Sequence, residues 1–199
     1  MPSRMLRWHY RSRHESLIAL SNREFYEGRL VVFPSPAGRG QGEGLDYRHL
    51  PDTVYERGTS RTNPQEADAV VQAVLEHARS RPELSLGVAA FSQAQKDAIE
   101  KRIEALARKD AAFDQWSTSN AEEPFFVKNL ENVQGDERDV ILISVGYGRD
   151  AAGAVSMNFG PLNQAGGERR LNVLITRARR RCVVFTNLSP DDIDLARAP

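Results

Sequence analysis

At 199 residues the chain is long enough to bury one sizeable core. Its 27 Lys and Arg balance 27 Asp and Glu, which excludes a global field that draws in nucleic acid and leaves any such affinity to local clusters. The single Cys182 excludes an internal disulfide and fits a reducing cytoplasm, and no apolar stretch approaches the roughly 20 residues of a membrane span.

Near the start, Arg4, Arg7, His9 and Arg11 interrupt the place where the apolar core of a secretion signal would sit. The spacing predicts a first helix over 15–26, with Leu17, Ile18, Ser21 and Phe25 on one face. A short apolar run, Leu30-Val31-Val32-Phe33, stops at Pro34, and residues 34–44 read as a Pro/Gly loop. No helix pattern opens behind those glycines, so they are not expected to cradle phosphate.

Alternation over 45–50 predicts a strand. Asn63-Pro64-Gln65-Glu66 combines an N-cap, a proline in the first turn and the acidic residue of a capping box, and Ala67, Val70, Val71, Val74, Leu75 and Ala78 continue with helical period. Pro82 ends that helix before a buried strand over 86–91. Ser92 and Gln95 form a second capping box, opening a helix through Ile99, Ile103 and Leu106. Residues 109–123 read as a polar surface excursion. Phe125-Phe126-Val127 is the next strand, and the run over 140–145 is apolar on both faces, as a central parallel strand requires. A loop through Gly160 and Gly167 leads to an arginine-rich helix, and the run from Cys182 closes the pattern as a strand with a buried, inert thiol. Strands alternating with helices predict an α/β three-layer sandwich around a mostly parallel sheet.

The arginine-rich segment is the most informative. Six of the thirteen residues from Arg169 to Arg181 are Arg, around the helical stripe Leu171, Leu174, Ile175 and Ala178. On a continuous helix Arg170 and Arg177 project from one side, about two turns apart. Their planar forks match phosphate oxygens in pairs, which suits phosphoryl transfer. A solvated basic helix followed by a strand fits the same pattern. The phosphate loop of a nucleoside triphosphatase is missing: none of the four lysines follows a glycine. Asp136-Glu137 follows a loop glycine rather than an apolar strand, so it is not read as a metal-holding pair. Arginines suited to a phosphate site without the site itself suggest half an enzyme.

Three segments together resemble a known family. Tyr10-Arg11-Ser12, Gln134-Gly135-Asp136-Glu137-Arg138-Asp139 and the stretch from Arg169 to Arg179 look like motifs IV, V and VI of superfamily-1 DNA and RNA helicases. The branch is that of the nonsense-mediated-decay helicase, and the likeness runs in order from about Leu6 to Leu188, closest to the second RecA-like domain of large bacterial helicase-related proteins. The resemblance implies a RecA-like domain of the P-loop NTPase type over 1–199, with a first RecA-like domain absent. It implies ATP with Mg²⁺, held mainly by that missing domain, and a single-stranded nucleic-acid partner, DNA favoured over RNA. Arg11 and Arg177 would act as catalytic arginine fingers on the γ-phosphate. Glu137 would face the ribose, with Gln134 and Gly135 shaping the loop and Arg170 completing the nucleotide side. Asn129, Asn132, Ser92 and Gln95 would line the nucleic-acid groove.

Each role has a plainer rival. Ser92 and Gln95 also serve as helix caps, Glu137 as an ion-pair partner of Arg138 or a neighbouring arginine, and Asn129 and Asn132 as turn residues. Arg179, Arg180 and Arg181 read as surface or backbone-contacting charges, and Trp8 and Tyr10 as core or cleft packing. A non-catalytic binding or regulatory module is the alternative function. A nuclease is disfavoured: no acidic residue stands two places before a lysine, and His9, His14, His49 and His77 are dispersed.

Overall fold

The computed structural model describes residues 8–35 and 42–194, so the middle of the expected 34–44 loop lies outside the described residues. Among the described residues, β1 (Gly44–His49), β2 (Leu86–Ala90), β3 (Phe126–Asn129), β4 (Arg138–Ser144) and β5 (Ala178–Thr186) form one sheet in the order β1-β5-β4-β2-β3. Every pairing is parallel. The mostly parallel sheet expected from the sequence is therefore wholly parallel.

The period-2 alternation of the strands sorts the core into two layers. Leu86, Val88, Ala90, Val140, Leu142, Val183 and Phe185 point to one face, where α2 (Pro64–Ser80), α3 (Gln93–Ala107) and α4 (Ala111–Ser119) pack. Ala89, Ile141, Ile143 and Cys182 point to the other, under Leu17 of α1 (Ser16–Phe25) and Leu174 of α5 (Gly167–Ile175). β4 is covered on both sides, which is why its sequence is apolar without alternation. Gly87 is required by a close approach: a Cβ there would run into the Phe126 ring of the neighbouring strand.

Several local expectations change. Residues 109–123 are not a surface excursion. Asp110 accepts from the backbone N–H groups of Ala112 and Phe113 as the N-cap of α4, Phe113 is buried, and Trp116 packs against His77, Phe113 and Phe125. The run 30–33 forms only a single bridge, Val31 to Trp8, and leaves Phe33 exposed.

The arginine helix is shorter than its period suggests. α5 ends at Ile175, Thr176 and Arg177 make the turn, and Ala178 already begins β5. Ala178 extends the apolar stripe as a strand residue pairing with Arg138. The register slips between Arg138 and Val140, so two β5 residues, Arg179 and Arg180, oppose the single Asp139 of β4. That bulge lets two consecutive arginines reach one carboxylate: Arg179 Nε and Arg180 Nε lie 3.3 and 3.5 Å from Asp139 Oδ1. Arg179 also pairs with Glu123 and Arg181 with Asp46, so the three expected surface charges are ion-paired parts of the strand.

Candidate functional site

The segment 130–137 joins β3 to β4, two parallel strands with β2 between them. It must therefore run from the carboxyl end of the sheet back to the amino end, and buried Leu130 and Val133 hold it against the α1/α5 face. This crossing splits the expected site residues into two groups. Asn129 and Asn132 stay at the carboxyl ends, while Gln134, Gly135 and Glu137 arrive at the amino end of β4.

At the amino end, Glu137 meets the N-terminal segment. Arg11 Nε lies 2.9 Å from Glu137 Oε2, with both side chains a little over one-third exposed. A pair so placed contributes about 0–1 kcal/mol, so the guanidinium can turn to another anion at little loss. Arg177 approaches from the α5–β5 turn. Its backbone carbonyl accepts from Arg138 N at 3.2 Å and its Nε donates to Val173 O at 2.7 Å. Nη2 makes only a 3.4 Å contact with Thr176 Oγ1. Burial first, then repulsion from Arg11, lowers the Arg177 pKa. A guanidinium nevertheless stays protonated, so two positive forks share one environment. Both line a cleft of about 240 Å³ with Trp8, His9, Asn172 and Thr176. Burial, then the Arg11 charge, lowers the His9 pKa, and His9 Nε2 accepts from Ser12 N at 3.0 Å, fixing the turn that carries Arg11. Gln134 and Gly135 are exposed beside it, Gly135 with φ of +90° where the chain turns.

Arg170 is not among the residues that line this cleft. Its Nη1 donates to Pro161 O at 3.1 Å and Ala165 O at 3.3 Å, tying down the loop that enters α5. Trp8 and Tyr10 line the cleft, one of the two placements expected of them, and are 55% and 85% exposed at its rim.

At the carboxyl ends, Asn129 Oδ1 accepts from Asn132 N at 3.1 Å, so these two do make the turn that their residue types favour. Asn129 Nδ2 donates to Gln93 Oε1 at 2.7 Å, linking the β3 end to the first turn of α3. Ser92 caps that helix by accepting from Gln95 N at 3.1 Å. Gln95 itself is fully buried. Its Oε1 accepts from Asn63 N at 2.8 Å, and its Nε2 donates to Asn63 O at 3.2 Å and Ser144 Oγ at 3.0 Å. With its amide so engaged, Gln95 ties the start of α2 to the end of β4. Gln93 and Tyr147 belong to this face although no motif names them. Gln93 carried a signal, a polar residue at the first position of a capped helix; Tyr147, just past an apolar strand, carried none.

A family model described as an AAA domain matches residues 1–189. The chain belongs to that family. It is the family to which the motif resemblance points, and the fold is the RecA-like one expected of it. The chain is 36% identical over 193 residues to an uncharacterized ATP-dependent helicase of Mycoplasma genitalium and, to the same extent, to its homolog in Mycoplasma pneumoniae. Each match covers 94% of this chain but 16% of the relative, so the chain spans about a sixth of those proteins. Among solved structures, the C-terminal domain of a possible DNA helicase from Lactobacillus plantarum is similar at 15% identity and a TM-score of 0.46, covering 94% of this chain and 96% of that one. No helix among the described residues is long and apolar enough to cross a membrane.

Proposed function

We propose that this chain is the second motor half of an ATP-dependent, single-strand-tracking helicase or translocase, with DNA the favoured strand. ATP, the substrate, sits between the amino-end cleft and a first RecA-like domain that carries the phosphate loop. Arg11 and Arg177 reach the γ-phosphate from this side. The observation that carries the proposal is the meeting of two guanidiniums, 166 positions apart in sequence (177 − 11), in one open cleft, with Glu137 paired to Arg11.

Hydrolysis transfers the γ-phosphoryl group to water and leaves charge on the departing oxygen. Fixed positive forks stabilise that charge, and such a residue is worth about 10³–10⁵ in rate. Glu137 keeps Arg11 extended toward the cleft until phosphate competes for it, and in this reading it then faces the ribose. The acidic groups here are engaged, Glu137 by Arg11 and Asp136 by Lys128 at 2.6 Å. This face therefore offers forks rather than metal ligands, and the Mg²⁺ that accompanies ATP belongs with the first domain. Ser92, Asn129 and Asn132 face the strand at the carboxyl ends, and domain closure on ATP alternates the grip. A binding module that kept the fold without the motor uses the same carboxyl-end face.

Reconstitution tests this. Alone, the chain is expected to leave ATP intact; added in trans to the phosphate-loop domain of its parent, it should raise strand-stimulated hydrolysis well above that of either part. Strand binding without any such gain favours the binding module.

A further inference from the structure

A second cavity, of about 440 Å³, opens at the carboxyl ends of β2 and β4, where the motif-derived residues leave most of the wall unexplained. Its size lies within the roughly 300–1,000 Å³ of small-molecule sites. Arg57, Arg61, Ser92, Gln93, Tyr147 and Asn158 line it, and among the described residues no carboxylate does.

The two arginines are presented by a locked loop. Glu56 N donates to Thr62 O at 2.8 Å, Arg61 N donates to Glu56 O at 2.9 Å, and Ser60 Oγ donates to Glu56 Oε2 at 2.7 Å. Arg61 sits at φ of +56°, uncommon for a residue with a Cβ, a conformation that tends to be kept where a site needs it. Among the described residues neither guanidinium has an ion pair or a hydrogen bond, whereas Arg179, Arg180 and Arg181 are all paired. Tyr147 forms the apolar wall. Its ring lies 5.5 Å from Tyr55 and edge-on at 6.1 Å to Phe159. A Cβ at Gly160 would strike the Tyr147 hydroxyl, so the chain closes tightly around the ring.

An acid-free cavity with two unpaired forks and a fixed ring suits an anion attached to a flat aromatic body. The cavity is also continuous with the strand-facing residues, because Gln93 lines it and bonds to Asn129. We propose that this cavity holds one nucleotide of the bound strand, with Arg57 and Arg61 on its phosphodiester and Tyr147 against its base. The proposal rests on the strand-tracking reading and assigns that reading a fixed anchor point.

The test measures binding of a labelled oligothymidine of about 12 nucleotides by fluorescence anisotropy over a salt series. Arg57→Ala combined with Arg61→Asn, which tolerates the left-handed backbone, is expected to weaken binding at least tenfold. It should also flatten the log–log salt slope by about 1.4, roughly 0.7 for each lost phosphate contact on a single strand. Its melting midpoint should stay at the wild-type value, since neither side chain holds the fold. Tyr147→Leu should lose about fivefold or more on oligothymidine and little on an abasic strand of equal length. Wild-type affinity and slope in the double variant, with binding weakened by Asn132→Ala, would overturn the anchor and leave strand binding standing. Competition by inorganic phosphate as effective as by the oligonucleotide would overturn it too, as a lone-anion site. No binding by the wild-type chain would remove the anchor together with the reading beneath it.

Discussion

Glu66 is fully buried, and its Oε1 accepts from Ser144 Oγ at 2.6 Å and Gly146 N at 2.8 Å. Burial pushes its pKa up to about 8, against hydrogen bonds that pull it down, and Oε2 has no partner. An unfolded glutamate titrates near about 4.3, so the folded state binds the proton more tightly. Stability from this group is complete below the unfolded pKa and is lost as pH rises to about 8. The unfolding free energy from urea titrations should fall between pH 5 and pH 8.5 by an amount on the order of a few kcal/mol, with the midpoint falling in step, and Glu66→Gln should abolish most of that fall. A wild-type midpoint independent of pH would contradict this placement. The sequence makes Glu66 the acidic half of a capping box, and Asn63 does cap α2 by accepting from Glu66 N at 3.0 Å. The other half is not legible, because the carboxylate turns to the end of β4, 78 positions away (144 − 66), where no local pattern reaches.

Elements with strong caps and long periodic faces were legible to within about a residue or two. α2 and α3 start at Pro64 and Gln93, directly after the Asn63 and Ser92 caps that announce them. α4 was not legible, since its nine residues bury chiefly Phe113 and leave a polar surface. That helix makes a sharp prediction: Phe113→Ala should cost about 3–5 kcal/mol in a urea titration, as for a core aromatic. A change within about 0.5 kcal/mol would restore the surface-excursion reading. The end of α5 was misjudged for a different reason. Ala178 satisfies both the helical stripe and the first inward position of β5, and only pairing with Arg138 decides between them. Arg170 Nη1 fastens the loop that enters α5 through the Pro161 and Ala165 carbonyls. Arg170→Ala should lower the melting midpoint by a few degrees, about 1 kcal/mol for two lost carbonyl contacts, while leaving nucleotide turnover within a few-fold. Loss of turnover equal to that of Arg177→Ala would return Arg170 to the nucleotide side.

Across the whole molecule, the wholly parallel sheet separates two kinds of chemistry. Arg11, Glu137 and Arg177 gather at the amino ends, and Ser92, Gln93, Asn129 and Asn132 at the carboxyl ends. The segment 130–137 runs from one end to the other, anchored by Leu130 and Val133, and on the proposed reading it links the nucleotide side to the strand side. The motifs identified most of these residues, though not Gln93, and not their division, because a mostly polar run broken only by Leu130 and Val133 gives no hint that it spans the sheet. The central claim concerns the amino-end cleft, and strand-stimulated ATP hydrolysis by the parent protein carrying Arg177→Ala tests it most directly. Loss of turnover by about 10³-fold or more, with fold and strand binding kept, is the predicted result. Turnover at the wild-type rate would contradict the account and take Arg177 out of the site.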